Sequence, residues 1–183
     1  MPSVQRWVAF LRGMNLGRRR ITNTALCECF AGLGLVSPSA FLASGNVTFD
    51  ATERSAAKLT RRIEGGLEEA LGYGVPTFLR TAEEVRAIAG HQPFPEDAVE
   101  GSRGKLQVLI LASAPESSDR EAVLAMASSQ DRLAIAGREL YWLPSGGTLE
   151  SELDLDAIGK RLGLGTMRTR RTVERLAARF LSG

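Results

Sequence analysis

Short apolar runs and helix-like segments follow one another in a set order through the first half of the chain. An apolar run at 7–11 predicts a buried strand, and Thr22 or Thr24 can cap the helix that follows it. Next come a hairpin whose strands, 41–43 and 47–49, flank a turn at 44–46, then a helix over 52–71 and a strand over 75–79. The order strand, helix, strand, strand, helix, strand is that of a ferredoxin-like unit.

The same order recurs in the second half. The pattern predicts a strand at 106–111, a helix at 115–127, hairpin strands at 133–135 and 140–142, a helix at 153–162, a strand at 166–168 and a terminal helix at 173–181. We therefore predict an α+β protein of two tandem ferredoxin-like (βαββαβ) units packed as one compact protein. The first unit covers 1–80, a linking helix and connector cover 81–104, and the second unit with its C-terminal helix covers 105–183.

Composition favours an ordinary globular protein. Hydrophobic residues make up 44% and charged residues 24% of the 183 residues, enough for a core with a solvated surface. No apolar run approaches the roughly 20 residues of a membrane-spanning helix, and the segment 1–7 lacks the apolar core of a secretion signal. These features predict a cytoplasmic protein with no membrane partner, and they leave its oligomeric state open.

Few side chains are suited to metal binding. Cys27 and Cys29 lie two residues apart on the predicted first helix, where side chains do not face each other, and His91 is the one histidine. We expect no metal and no cofactor. The acidic stretch 150–156 could hold a cation, but acids at the start of a helix also suit the helix dipole, and the sequence favours that interpretation.

Basic residues cluster after the first predicted strand. Arg12 and the run Arg18 to Arg20 fall within nine residues that contain no acid, although the net charge of the chain is only +2. In a ferredoxin-like unit this loop and the 44–46 turn meet at one edge of the sheet, because the first strand ends there and lies beside the third. The expected ligand-binding set comprises Arg12, Gly13, Asn15, Gly17, Ser44, Gly45 and Asn46. Arginine and free backbone amides are typical of phosphate sites.

Each of these residues also has a structural interpretation. Glycines form turns, asparagines satisfy local backbone groups, and exposed arginines are solvated. His91 lacks a neighbouring serine or cysteine motif that would indicate a catalytic base. Trp7, Phe10, Tyr141 and Trp142 can stack on bases, but aromatic residues in strands usually belong to the core.

Three function classes follow from these features. The first is a binding protein for a phosphorylated small molecule or nucleic acid at the edge formed by the 12–20 loop and the 44–46 turn. The second is a metal-independent transferase or hydrolase acting on a phosphorylated substrate, with Arg12 and Asn15 stabilising charge. The third is a protein-interaction module that offers an apolar sheet face to a partner.

Three segments carry a resemblance to a known family: 10–17 (FLRGMNLG), 44–49 (SGNVTF) and, more loosely, Thr172-Val173. They resemble the bacterial family known as domain of unknown function 1697. The resemblance implies a duplicated ferredoxin-like arrangement and no established activity. The chain departs from the family pattern at Glu152, where a Ser-Lys-Leu segment is common, and at Thr169-Arg170, where an Asn-Trp pair is common. These departures bear on any site that the family places there.

Overall fold

The chain folds into two compact units of mixed α+β structure. The structure, a computed structural model, describes residues 2–43 and 45–180. Unit 1 comprises the residues up to Arg86 together with the segment from Leu176 onward, and unit 2 comprises Ala87–Arg175. The ranges predicted from the sequence place the C-terminal segment in the second unit instead. Among the described residues, no helix has both the length and the apolar character needed to cross a membrane.

Unit 1 is built on a four-stranded antiparallel sheet. Its elements are β1 (Gln5–Leu11), α1 (Asn23–Gly32), β2 (Val36–Phe41), β3 (Asn46–Ala51), α2 (Ala56–Leu71), β4 (Thr77–Thr81) and the first part of α3 (Ala82–Gly90), which continues past Arg86 into unit 2. The strands lie in the order β2-β3-β1-β4, so that the first strand is central and pairs with both β3 and β4. The end of β1 therefore lies beside the β2–β3 turn.

The core of unit 1 lies between one face of this sheet and the helices α1 and α2. Alternate residues of β1, namely Trp7, Ala9 and Leu11, point to this face and belong to its buried cluster. Side-chain caps start both helices: Thr22 Oγ1 accepts a hydrogen bond from Ala25 N, and Ser55 caps α2 in the same way. These caps explain why α2 begins four residues later than the predicted range, after the polar segment 52–55.

Unit 2 repeats this arrangement. After the short helix α4 (Glu96–Gly101) come β5 (Gln107–Leu111), α5 (Ser117–Leu124), β6 (Asp131–Ala136), β7 (Glu139–Pro144), α6 (Leu155–Leu162), β8 (Gly165–Thr169) and α7 (Arg170–Phe180), whose residues from Leu176 onward belong to unit 1. The strand order is β6-β7-β5-β8, again with the first strand central and every pairing antiparallel. Its core cluster joins Leu111 and Leu140 of the sheet to Val123 of α5 and Ile158 of α6.

The two sheets also correspond residue by residue. Val8 of β1 pairs with Arg80 of β4, and Val108 of β5 pairs with Arg168 of β8. Both arginines are buried, at 1% and 8% exposure, and each donates to the carbonyl of the residue before it, at 2.9 Å in both cases. At the ends of the central strands, Leu11 N donates to Gly45 O at 2.8 Å, and Leu111 N donates to Arg138 O at 2.9 Å.

Two local features differ from what the sequence pattern shows. The second strand runs over Val36–Phe41 rather than 41–43, since Leu42 adopts a left-handed conformation (φ 59°) that ends it. The segment contains Pro38, which β2 tolerates because it is an edge strand. The segment 91–104, expected as a connector, contains the helix α4, which is two turns at most and too short for a helical period to show.

Candidate functional site

The 12–20 loop and the β2–β3 turn meet at one edge of the first sheet. Leu11 N donates to Gly45 O, and the register places Phe10 opposite Asn46. On the other side of β1, Arg12 N donates to Pro76 O at 3.0 Å. The loop therefore starts from a backbone that is fixed on both sides, which is the convergence expected from the strand order.

Backbone conformation and close packing are the two reasons why glycine occupies these positions in the loop and the turn. Gly13 and Gly17 have φ values of 74° and 59°, and Gly45 has φ 78°, a region that costs other residues about 1–2 kcal/mol. Met14, 3% exposed, anchors the loop in the core of unit 1. A Cβ atom at Gly45 would lie 2.8 Å from Met14 Cγ and 3.0 Å from Leu11 Cβ. Only glycine allows the turn to approach the loop this closely.

Asn15 links the loop to the turn. Its side chain is exposed, and its Nδ2 donates to Ala43 O. Arg20 Nη1 donates to the carbonyls of Asn15 and Arg19, at 3.2 and 3.1 Å. The guanidinium of Arg19 lies over the ring of Tyr73, 4.2 Å from its centroid, in a cation–π contact. These contacts hold the 12–20 loop (the basic loop) in one conformation.

The remaining predicted site residues differ in their surroundings. Asn46 is fully buried, and its Nδ2 donates to Phe41 O at 3.0 Å, so its side chain closes the β2–β3 turn. Arg12, the first residue of the loop, is exposed. Ser44 lies outside the described residues. A binding role for each of these side chains stays a prediction.

The loop presents hydrogen-bond donors and positive charge together. From Gly13 to Arg18, no backbone N–H group donates to another described residue. Residues 12–20 include four arginines and no acid, and α1, which follows directly, has no acidic residue in its first turn. Left-handed residues turn successive N–H groups toward one side and so create concavities that bind anions. The edge of the sheet is chemically suited to a phosphate or carboxylate group.

Other sequence candidates belong to the packed interior or to other surfaces. Trp7, Phe10, Tyr141 and Trp142 are all buried, at 3%, 0%, 2% and 2% exposure, so their rings are not available for stacking on bases. The ring of His91 packs against Tyr141 with centroids 4.9 Å apart. Within residues 2–43 and 45–180, no three His, Cys, Asp or Glu side chains are grouped as a metal site would require.

The two positions that depart from the family pattern both line cavities of unit 2. Glu152 lies at a polar cavity of about 580 Å³ near the start of β6. Arg170 lies at a smaller, more apolar cavity of about 330 Å³ beside the end of β8. Arg170 Nη2 donates to Ala89 O at 2.9 Å, and its Nε lies 3.2 Å from Glu174 Oε1. Neither cavity is foreseeable from local sequence, because each forms between segments that are distant along the chain.

Comparisons with known proteins agree with this architecture. The model of the family described as "Protein of unknown function (DUF1697)" matches residues 4–141. The solved structure of the conserved bacterial protein SP0830 from Streptococcus pneumoniae is similar, with a TM-score of 0.75 at 17% sequence identity. The similarity covers 96% of this chain and 98% of that one, and at this identity it speaks to the fold alone. No curated protein matches the chain.

Proposed function

Because this chain belongs to the DUF1697 family, whose description assigns no activity, we propose a function from the geometry of its own basic loop. The protein binds a small phosphorylated molecule at the edge formed by the 12–20 loop and the β2–β3 turn. The observation that carries the proposal is the run of backbone N–H groups from Gly13 to Arg18 that no described residue accepts, within a loop of four arginines.

The physical argument rests on three contributions to anion binding. Backbone amides without a protein acceptor donate to an anion without giving up another protein hydrogen bond. The guanidinium groups of Arg12 and Arg18 are exposed and offer planar forks that match phosphate oxygens. The α1 N-terminus adds the positive end of its dipole. All three lie in or directly after a loop that Met14 and Asn15 hold in place.

A binding role fits this loop better than a catalytic one. General acid–base chemistry needs an ionisable side chain within hydrogen-bond reach of the substrate. Residues 12–20 supply arginines, glycines and one asparagine, but no histidine, aspartate or glutamate. Such a set stabilises charge on a ligand and does not transfer a proton near neutral pH.

We further propose that each unit has the ferredoxin-like topology. The support is the strand order β2-β3-β1-β4 in one sheet and β6-β7-β5-β8 in the other, with a helix after the first and the third strand of each unit. Two antiparallel sheets of this order match the βαββαβ pattern expected from the sequence.

The test is calorimetric titration of the protein with inorganic pyrophosphate. We expect Arg12→Ala and Arg18→Ala each to weaken binding by about 10- to 150-fold, the scale of one hydrogen bond to a charged group. Arg61→Ala is the matched control, because Arg61 is an exposed arginine of α2 in the same unit. It should leave the affinity unchanged.

Two results would count against the proposal. If Arg12→Ala unfolds the protein or both variants bind pyrophosphate like the wild type, these arginines support the fold rather than a ligand. A short oligonucleotide serves as the second probe. Tight oligonucleotide binding with a steep salt dependence, in the absence of pyrophosphate binding, would indicate nucleic acid in place of a small molecule.

A further inference from the structure

A polar cavity of about 580 Å³ lies in unit 2, at the end of the sheet where β6 begins and β7 ends. Asp131 and Pro144, which pair across the two strands, both line it. Its walls come from the turn before β6 and from the segment between β7 and α6, which are tied together where Ser145 N donates to Gln130 O at 2.7 Å. The cavity is thus built from secondary structure and paired loops.

Asp131 is the distinctive group of this cavity. It is 4% exposed, and Trp142 Nε1 and Ser151 Oγ donate to its Oδ1 at 2.8 and 2.7 Å. Among the described residues, no donor contacts the other carboxylate oxygen, Oδ2. Oδ2 is not one of the buried side-chain atoms that lack a partner, so it is accessible from the cavity that Asp131 lines. A carboxylate oxygen that is accessible and has no protein donor is open to a donor that enters the cavity.

The charged residues that line the cavity are all acidic. Glu150 and Glu152, both exposed, line it together with Asp131, and no lysine or arginine does. Glu150 Oε2 accepts a hydrogen bond from Gly147 N at 3.3 Å, which holds this carboxylate beside the glycine segment. Three carboxylates around one cavity attract a cation and repel the anions that suit unit 1.

The distribution of these carboxylates suits an organic cation better than a metal ion. A metal needs its ligands gathered around one point, and no three acidic, histidine or cysteine side chains within the described ranges are so gathered. Met126, Pro144 and Leu153 add apolar surface between the charges. A ligand with two separated positive groups and an aliphatic chain between them matches both the carboxylates and the apolar surface.

We propose that this cavity binds a small organic cation carrying two amino or guanidino groups. One ammonium or guanidinium group donates to Asp131 Oδ2, and the second lies near Glu150 and Glu152. The apolar residues contact the chain between them. This site is separate from the basic loop of unit 1, so either proposal can fail without the other.

Unit 1 provides an internal comparison. The corresponding edge of its sheet, where β2 begins and β3 ends, has a cavity of about 370 Å³ lined by Val36, Ala51, Glu53 and Arg62. It has charges of both signs and no buried carboxylate. The proposed cation site therefore belongs to unit 2 alone and is not a feature that every unit of this topology carries.

The first test is calorimetric titration of the full chain with 1,4-diaminobutane. We expect a dissociation constant below about 1 mM, weakened about 10-fold or more by Asp131→Asn, which keeps an acceptor for Trp142 and Ser151 but places an N–H group toward the ligand. Glu152→Gln, at an exposed position, should weaken binding by about two- to fivefold. Glu121→Gln, an exposed acid of α5 away from the cavity, should change nothing.

The uncharged analogue 1,4-butanediol decides whether charge is what the cavity recognises. It should not bind measurably. Equal affinity for the diol, absence of diamine binding at about 10 mM, or wild-type affinity in both Asp131→Asn and Glu152→Gln would each overturn the proposal. If Asp131→Asn does not fold, Glu152→Gln against Glu121→Gln remains the deciding pair.

The second test locates the ligand. The chain has two tryptophans, so a ¹H–¹⁵N spectrum contains two indole signals. Trp142 Nε1 donates to Asp131, whereas Trp7 Nε1 has no hydrogen-bond partner among the described residues. Diaminobutane should shift the Trp142 signal, assigned with Trp142→Phe, and leave the Trp7 signal in place. A shift of neither signal, or of both equally, would contradict binding at Asp131.

Discussion

At the scale of single residues, Gly45 controls how closely the β2–β3 turn approaches the basic loop. Two separate features favour glycine at this position: the left-handed backbone conformation, and the lack of space for a Cβ atom beside Met14 and Leu11. A glycine that has the same backbone conformation but open space around it can separate the two effects.

Gly45→Ala should lower the free energy of unfolding by more than Gly72→Ala does. Both glycines have φ 78°, so each variant loses about 1–2 kcal/mol through backbone strain. A Cβ at Gly72 meets no atom within 4 Å, whereas one at Gly45 overlaps Met14, which adds about 1–3 kcal/mol. Urea unfolding of the two variants measures the difference. Equal destabilisation would mean that the loop moves away without cost.

Sequence reasoning identifies some site residues well and others poorly. Gly13, Gly17 and Gly45 occupy conformations that favour glycine, and a turn pattern reveals such positions. The burial of Asn46 does not follow from the pattern, because a polar residue in a turn is usually solvated. The unused oxygen of Asp131 also has no local signal, since its partners Trp142 and Ser151 lie 11 and 20 residues away.

At the scale of elements, α2 carries two adjacent glycines with different surroundings. A Cβ at Gly65 would meet no atom within 4 Å, whereas one at Gly66 would lie 2.7 Å from Leu33 Cδ1 and 3.0 Å from Leu33 Cγ. Gly66 thus allows α2 to approach Leu33, the residue that follows α1. Gly65 only weakens the helix, because glycine has more backbone freedom to lose than alanine.

Gly65→Ala should raise the free energy of unfolding by about 0.5–1 kcal/mol, and Gly66→Ala should be less stable than Gly65→Ala by about 1–3 kcal/mol because of overpacking. Urea unfolding checks both values. In a Leu33→Ala background the clash is absent, so Gly66→Ala should become stabilising there. If Gly66→Ala behaves like Gly65→Ala in both backgrounds, Leu33 does not limit the approach of α2.

Periodicity predicts the longer elements because it reports burial directly. Leu59, Ile63 and Leu67 repeat at helical spacing, and all three are buried residues of α2. The prediction of mixed α+β structure is confirmed by the two four-stranded antiparallel sheets. Strand β2 was displaced in the prediction because an edge strand is defined by its pairing with β3, and its own residues, including Pro38, have little strand character.

At the scale of the whole molecule, the repeated strand order places a buried arginine at corresponding positions of the two sheets. Burial lowers the pKa of Arg168 to about 10, well below the ordinary value of a guanidinium group. Its Nη1 donates to Thr166 Oγ1 and Met167 O, which stabilises the charge without restoring full hydration. The folded state therefore releases this proton at a lower pH than the unfolded chain does.

Stability should depend on this proton in the alkaline range only. Below pH 10 the guanidinium is charged in both states, and its contribution is constant. Between about pH 10 and 12.5 the unfolded chain binds more protons, so stability rises with pH, by at most about 1.4 kcal/mol per pH unit. The difference in unfolding free energy between wild type and Arg168→Met should be flat from about pH 6 to 8.5 and then grow in favour of the wild type.

The matched control is Arg61→Met, at an exposed position of α2. Its difference from the wild type should stay flat over the same pH range, because its side chain is solvated in the folded protein as it is in the unfolded chain. A flat difference for Arg168→Met up to about pH 10.5 would show that the buried guanidinium holds its proton as firmly as a solvated one.

The division of the chain into units has a consequence for biosynthesis. Unit 1 includes the segment from Leu176 onward, and there Arg179 lies over the ring of Phe41, 5.7 Å from its centroid. A ribosome makes residues 87–175, the whole of unit 2, before it makes that segment. The first unit to emerge is therefore the last to be completed, and a nascent chain waits with its N-terminal half unfinished until translation has passed the second half.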